Sequence, residues 1–507
     1  MFAVRIGTIA ALTATLPAGP LMADITSADV WNNSSALIEA LGGSHEAEFL
    51  RDGDSVTIRG HNGSFVLPMG AGRITFGISD YTMTEEAGTV TVTYPAGMEI
   101  TLGASITGEG DASMTMRTGD TAISTIATGD PGAVSYVTQT GPFSLALTDF
   151  TVSSEPSSTA EFEVDIDGYT AETRIVEDTL VVVFSQSEIG RTTTTSTFSD
   201  GFGFETATVA ETGPSTNTFS MGLIPGGADL LNLSGALRNG MYITAESSAQ
   251  NSTSQSRTTI DGRLEQEDFY DVERASGTFA LDRTQLAFGV DVGPGIFEMA
   301  QEFMTPRAFG IDFQGFHMDI GGPILRSDET QPFRIGFGLD DLRLGPTIWA
   351  LFDPDKALPR GPASLDLSMT GDVILDADLP DFLALPELGG RQDASVQVTE
   401  VEIERFGLSA LGVTADSSGA FKLDYGEYSV FPGVPWPEGA GRAEIKGLNG
   451  LLDALIDEGL IPSEEAFGLR LMISLGTIVA GDDILSSEIE FTEDGRIIAN
   501  GQPFNLP

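Results

Sequence analysis

The stretch that decides the fold class of this chain is Thr89-Val90-Thr91-Val92-Thr93-Tyr94. Its bulky side chains occupy every second position, and threonine fills the positions between them. A period of two places alternate side chains on opposite faces of a sheet, and these residue types are enriched in strands. The hexapeptide therefore predicts a strand with one buried face.

The same alternation returns from one end of the chain to the other, which predicts a mainly β protein. Five further triplets carry it: Ile74, Phe76 and Ile78; Phe143, Leu145 and Leu147; Phe162, Val164 and Ile166; Ile335, Phe337 and Leu339; Leu365, Leu367 and Met369. From Ile311 to Ile320 the phase slips once, as it does at a β-bulge. We therefore expect large, curved antiparallel sheet with a few peripheral helices.

Turn signals separate these segments. Four dipeptides have the composition of two-residue hairpin loops, namely Asn62-Gly63, Asp167-Gly168, Asn239-Gly240 and Asn500-Gly501. Strand segments also resemble one another loosely, but ordinary hairpins produce the same likeness, so it is weak support for an internal repeat.

A few helices are predicted at the N-terminus and in the C-terminal third. The first runs from about Ala28 to Leu41, with Ser27 as its N-cap and Gly42-Gly43 as its stop. Three more are predicted near residues 346–352, 448–458 and 463–475. The apolar stripes of the last two are typical of helices that pack on a core.

Residues 1–23 are predicted to form a cleaved signal peptide. Arg5 precedes the mostly apolar stretch from Ile6 to Pro17, and a small residue precedes Asp24. A transmembrane anchor would need roughly 20 apolar residues, and prolines interrupt this run too early. No later segment is long and apolar enough to span a bilayer, so we expect an exported, periplasmic protein.

The remaining chain divides into two β-rich parts, residues 24–244 and 260–507. Between them, residues 245–259 are rich in serine, threonine and glutamine. That composition predicts a flexible loop or a boundary.

Composition excludes several classes of function. The chain has 74 acidic and 25 basic residues, for a formal net charge of −49, and no cysteine. A strongly negative surface repels phosphate backbones and anionic headgroups, which disfavours nucleic-acid binding and electrostatic membrane docking. Without cysteine, disulfides, thiol catalysis and thiolate metal sites are absent.

The sequence predicts no catalytic, cofactor-binding or metal-binding residue. Its three histidines, His45, His61 and His317, are scattered, and they form no known catalytic or metal motif. The segment from Glu163 to Gly168 resembles the first half of a calcium loop, but Arg174 occupies the position of the bidentate glutamate. Its alternating apolar residues favour a strand instead.

Other segments suggest a family. They are Val30-Trp31, Ile348-Trp349-Ala350-Leu351-Phe352-Asp353-Pro354, Leu358-Pro359-Arg360, Gly447-Leu448-Asn449-Gly450-Leu451-Leu452-Asp453, Gly459-Leu460-Ile461-Pro462 and Ala499-Asn500-Gly501-Gln502. The chain resembles an uncharacterised exported bacterial family, domain of unknown function 2125, over nearly all of its length after residue 23. More loosely, it is similar to envelope proteins of the AsmA and YdgA type. The resemblance implies an exported protein with a curved sheet that shelters lipid. It implies no functional residue.

These observations favour a non-catalytic envelope protein whose curved sheet binds a lipid or another apolar ligand. Two alternatives remain. A structural or interaction protein, with another envelope protein as partner, would have a closed core. A carboxylate-dependent hydrolase would have converging carboxylates or a Ser/His pair in a polar cleft, and with 74 acidic residues only spatial separation can discriminate such pairs.

Overall fold

The computed structural model describes residues 24–67, 71–108, 110–153, 158–226, 232–302, 308–380, 396–425 and 435–504. The predicted signal peptide lies outside the described residues. Within them, strands dominate and belong to one large antiparallel sheet, which confirms the predicted fold class.

The N-terminal half of the sheet contains β1 to β17. Their bounds are β1 (Gly43–Asp52), β2 (Ser55–Leu67), β3 (Gly72–Ile78), β4 (Tyr81–Glu86), β5 (Thr89–Tyr94), β6 (Glu99–Ile106), β7 (Gly110–Thr118), β8 (Ile123–Asp130), β9 (Ala133–Thr140), β10 (Phe143–Val152), β11 (Thr159–Ile166), β12 (Tyr169–Glu177), β13 (Val181–Ile189), β14 (Thr192–Ser199), β15 (Phe204–Thr212), β16 (Ser215–Leu223) and β17 (Tyr242–Ile260).

The C-terminal half contains β18 to β31. Their bounds are β18 (Arg263–Leu281), β19 (Leu286–Val292), β20 (Gly295–Gln301), β21 (Ala308–Phe313), β22 (Gly315–Gly322), β23 (Gln331–Leu344), β24 (Ala363–Leu375), β25 (Val396–Ala410), β26 (Val413–Asp424), β27 (Trp436–Lys446), β28 (Ile478–Gly481), β29 (Ile484–Phe491), β30 (Ile497–Ala499) and β31 (Gln502–Phe504).

Five helices accompany the sheet in the described part of the chain. They are α1 (Ser27–Ala40), α2 (Leu233–Arg238), α3 (Pro346–Phe352), α4 (Leu448–Asp457) and α5 (Ser463–Gly476). All but the short α2 were predicted from the sequence.

Between β2 and β17 the sheet consists of two columns of hydrogen-bonded strands that lie next to each other. Column A consists of β4, β5, β8, β9, β12, β13 and β16, and column B of β3, β6, β7, β10, β11, β14 and β15. The long strands β2 and β17 pair with both columns and join them at either end. The chain alternates between the columns: β4, β8, β12 and β16 begin at Tyr81, Ile123, Tyr169 and Ser215, a structural repeat of roughly 45 residues.

The hairpin of β17 and β18, each 19 residues long, joins the two halves of the sheet. Strand β18 splits the sheet again, pairing with β20 and β19 along different parts of its length, and β23 rejoins the two branches. Single strands then follow through β24, β25, β26, β27 and β29. With about 4.8 Å between neighbouring strands, about twenty rows give a contour length of roughly 95 Å.

Helix α1 is the centre of the N-terminal half. On one side, the Trp31 ring stacks on His45 of β1 with 4.3 Å between the ring centroids. On its other side, Asn33 accepts a hydrogen bond from the Tyr136 hydroxyl at 2.9 Å and donates one to Glu177 at 3.0 Å. Because β1 is the first row and these partners belong to β9 and β12, several rows away, the sheet curves around the helix.

The buried core follows from this curvature. One cluster joins the start of α1 to β2 and column A and contains Ile25, Val30, Val56, Ile58, Tyr81, Met83, Val90, Val92, Ala127 and Val134. A second joins the end of α1 and α2 to column A and contains Ala40, Ile175, Val181, Val183, Leu223, Ala236 and Met241.

The N-terminus of α1 differs from its prediction by one residue. Thr26, and not Ser27, is the N-cap, and it forms a capping box with Asp29. The Ser27 amide instead donates to Glu85 at 2.8 Å. Hydrogen bonds from the Arg51 guanidinium and from this amide lower the pKa of Glu85 to about 2.

The prediction of a flexible loop at residues 245–259 is wrong, because these residues lie inside β17. Its backbone is paired on both sides, with β15 and β16 on one and β18 on the other. The hydroxyl side chains also bond across strands, as Thr208 does to Ser256 at 3.1 Å. A polar segment can therefore form a strand when neighbouring strands on both sides satisfy its backbone hydrogen bonds.

Only one of the four predicted hairpin loops joins neighbouring paired strands. Asn500-Gly501 connects β30 to β31, with φ values of 52° and 75°. Asn62-Gly63 lies inside β2, and Asn239-Gly240 follows α2. Asp167-Gly168 connects β11 to β12, which pair with other strands because the chain crosses between columns there.

Replacing the buried Asn33 by alanine should lower the free energy of unfolding by about 1–3 kcal/mol, since the Tyr136 hydroxyl and the Glu177 carboxylate each lose a hydrogen-bond partner. Urea unfolding followed by circular dichroism measures the change. The neighbouring Asn32 is exposed, so Asn32→Ala is the matched control. Equal losses in the two variants would contradict this role of Asn33.

Candidate functional site

The side of the sheet against which α1 lies is apolar, and we call it the apolar face. Cross-strand pairs carry this face out of the core of column A into the C-terminal half. The linking ladder is Ile175, Val183, Met221, Ile243, Leu281 and Leu286, each paired with the next.

Three further ladders continue side by side from β19 through β22, β23 and β24 to β25. They are Phe288, Ile320, Ile335, Met369 and Ile403; Val290, Met318, Phe337, Leu367 and Phe406; and Val292, Phe316, Leu339, Leu365 and Leu408. Directly opposed apolar side chains of this kind stabilise a sheet. They also form a continuous apolar surface across five neighbouring strands.

The two halves of the apolar face differ in their cover. In column A, helices α1 and α2 bury it in the two core clusters. None of the fifteen ladder residues between β19 and β25 is fully buried, and no described helix makes extensive contact with β22 to β27. The C-terminal half therefore presents a partly exposed apolar surface.

A block of hydroxyl side chains occupies the end of column B and the adjoining part of β17 on the same face. Its members are Thr192, Thr194 and Ser196 of β14, Thr206 and Thr208 of β15, and Ser252, Ser254, Ser256 and Thr258 of β17. These are the threonine- and serine-rich segments of the sequence, now placed on strands. The apolar face therefore has an apolar region in each half of the sheet, with a hydroxyl-lined part at β17, where the two halves meet.

The opposite face is acidic. Along β25, Glu400, Glu402 and Glu404 are exposed and alternate with Val401 and Ile403 of the apolar face. A groove of about 1040 Å³ opens between β18, β20, β21 and α3 and is lined in part by Glu267 and Asp271. Within the described residues no three histidine, aspartate or glutamate side chains converge as metal ligands. The calcium-like segment forms β11, as its alternation predicted.

Two of the three histidines meet under α1, although the sequence gave no reason to group them. The His45 Nδ1 and His61 Nε2 atoms lie 2.9 Å apart. His45 Nε2 lies 2.6 Å from the Ser35 hydroxyl, and the Tyr81 hydroxyl lies 3.1 Å from His61 Nδ1. Ser35 donates in turn to the backbone carbonyl of Trp31 at 2.9 Å.

One arrangement of protons satisfies every bond in this chain. Tyr81 donates to His61, His61 donates to His45, His45 donates to Ser35, and Ser35 donates to the Trp31 carbonyl. Each imidazole then uses one nitrogen as donor and the other as acceptor, so both rings are neutral. Protonating both would place two N–H groups against each other and break the chain.

Burial supports the neutral state. Desolvation and the neighbouring His45 lower the pKa of His61 to about 4. Desolvation also lowers the pKa of His45, although the Glu39 carboxylate opposes this shift. The Tyr81 hydroxyl is buried as well, which raises its pKa.

The Ser35–His45 pair does not form a hydrolase centre. In the proton arrangement that satisfies every bond, the serine proton is directed to the Trp31 carbonyl and His45 donates to Ser35, so no base faces the hydroxyl. The pair lies between α1 and β1, with the Trp31 ring stacked on His45. His317 lies in β22, away from the other two.

Comparison with known families and curated proteins found no match for the chain: no protein-family model and no curated protein matches it. No helix in the described ranges is long and apolar enough to cross a membrane. The apolar face and the histidine pair are therefore interpreted from their geometry.

The histidine pair should make the fold sensitive to acid. An unfolded histidine titrates near pH 6.5, so below that pH the unfolded chain binds protons that folded His61 does not. Its contribution to stability is complete above pH 6.5 and is lost as pH falls towards 4, by up to about 1.4 kcal/mol per pH unit. Urea unfolding at several pH values measures this slope.

The many carboxylates also titrate in acid, so the informative quantity is the difference between variants. His61→Gln should be less stable than the wild type at pH 7 and should lose less stability between pH 6.5 and 4. Asn32→Gln, at an exposed position without a titratable group, is the control and should keep the wild-type slope. An unchanged slope in His61→Gln would show that His61 is not the titrating group.

Proposed function

We propose that this is a non-catalytic exported envelope protein that binds a lipid, or another ligand with long apolar chains, on its apolar face. The single observation that carries the proposal is the set of three apolar ladders from β19 to β25 that no described helix covers extensively. An apolar surface of this extent marks a binding site more often than a free surface.

The dimensions of the ladders suit an acyl chain. Five strands about 4.8 Å apart extend over roughly 20 Å. One leaflet of a bilayer contributes about half of a hydrocarbon core that is about 30 Å thick. A lipid chain lying across the strands would therefore remain in contact with apolar side chains along its length.

The energetics favour such a ligand. Each buried methylene contributes about 0.8 kcal/mol, and the half-buried ladder residues would lose exposed apolar area at the same time. The acidic face remains in water and keeps the protein soluble. The same acidity disfavours nucleic acid as a partner.

Native mass spectrometry on protein purified without detergent from the periplasm of its own host tests the proposal. We expect bound acyl lipid in the wild type. Leu367→Gln places a polar group in the middle ladder, between Phe337 and Phe406, and should lower lipid occupancy about tenfold. Circular dichroism checks that the variant is folded.

Thr370→Gln is the matched control, since Thr370 lies on the same strand and pairs with Arg334 and Glu402 on the acidic face. It should keep the wild-type lipid load. A wild-type mass without ligand, together with no uptake from vesicles, would rule out the lipid proposal and favour an interaction protein.

Export is tested on the same material. The signal-peptide proposal predicts a mature N-terminus at Asp24, because a small residue precedes it and the run before it is apolar. Intact-mass measurement of the periplasmic protein determines this position. Recovery of the uncleaved chain from the cytoplasm would contradict export.

A further inference from the structure

Helix α5 turns its apolar side to the solvent, against the prediction that its apolar stripe would pack on a core. Phe467, Leu471, Met472 and Leu475 are 68%, 53%, 64% and 63% exposed. Large contiguous exposed apolar patches on soluble proteins mark interaction sites. This arrangement therefore calls for a partner.

The opposite side of α5 is the one that packs on α4. Ala466 is fully buried. Arg470 donates to the Asn449 carbonyl at 3.2 Å and to Asp453 at 2.7 Å. At about 100° per residue, the exposed apolar residues lie on the side of the helix away from these contacts.

The apolar surface continues past the end of the helix. Val479 of β28 is 78% exposed and pairs with Leu485 of β29. Leu485 in turn pairs with Ile445 of β27, and both side chains belong to the apolar face. We call Phe467, Leu471, Met472, Leu475 and Val479 the terminal patch, which adjoins the last rows of that face.

We infer that the terminal patch docks on a zwitterionic lipid surface, so that α5 lies in the interface and brings the apolar face to the bilayer. This inference rests on the proposed function and names the source of its ligand. An amphipathic helix binds a membrane by burying its apolar side at the boundary between headgroups and acyl chains.

Charge selects this occupant. Interfacial helices that bind anionic lipid carry lysine and arginine on their polar side. Here the one basic residue of α5, Arg470, is paired with Asp453, and the helix begins with Glu464 and Glu465. An anionic membrane would therefore repel the helix, whereas a surface without net charge would not.

The same argument disfavours a second copy of this chain as the occupant. Two molecules that each carry a formal net charge of −49 repel each other. In contrast, the terminal patch is continuous with the apolar face, and acyl chains that pass from a bilayer to that face require such continuity. Because the inferred contact is apolar, its strength should not fall when salt is added, unlike that of an electrostatic contact.

Flotation of the full chain with phosphatidylcholine vesicles, at low and high salt, tests this inference. We expect the wild type to float with the vesicles at both salt concentrations. Phe467→Ser should weaken partitioning about tenfold, since one large side chain no longer enters the lipid. Circular dichroism confirms folding, which the exposed position should leave intact.

Phe202→Ser is the matched control, because Phe202 is 81% exposed and lies in the turn between β14 and β15, outside the terminal patch. It should partition as the wild type does. Absence of wild-type flotation, or equal flotation of Phe467→Ser, would overturn the inference. So would a dimer in light scattering that Phe467→Ser converts to a monomer.

The lipid load separates this inference from the proposed function. Protein that carries lipid by native mass spectrometry but does not float retains the proposed function and overturns the docking inference. Protein that floats through Phe467 but carries no lipid supports docking and leaves the apolar face without its ligand.

Discussion

A sheet with one apolar face must have that face covered, and this requirement organises the whole molecule. In the N-terminal half the cover is α1, around which the sheet curves, with Asn33 and Trp31 contacting rows that are distant in the sheet. In the C-terminal half the sheet runs on as single strands from β23 onward, and the described helices leave the face largely free. Without disulfides, the curvature depends on side-chain packing and on backbone pairing between strands.

The histidine pair belongs to the covered half. It links α1 to β1, the first strand of the sheet, and to β2 and β4 beside it. Edge strands are the part of a sheet most prone to mispairing, so a buried polar chain that requires both neutral rings fixes β1 in one place. The cost is that a buried neutral histidine weakens the fold in acid.

Period two in the sequence was enough to predict the fold class, because a strand's burial pattern is local: Val90 and Val92 are buried as their spacing predicted. The pairing of strands was not local. His45 and His61 are brought together by a bulge in β2, where Gly60 has φ +58°, and no spacing rule anticipates that contact. Likewise Asp167-Gly168 carries a hairpin composition but marks a crossing between columns.

The helix α5 shows the same limit from the other direction. Its spacing of apolar residues predicted a buried stripe, and spacing alone cannot say whether protein or another apolar phase covers it. The charge around the helix does distinguish these alternatives. A molecule with a net charge of −49 and a free apolar face must avoid pairing that face with its own copies, and repulsion between acidic faces opposes such association. The acidity of the chain is therefore the condition under which an apolar surface can stay open to an uncharged ligand.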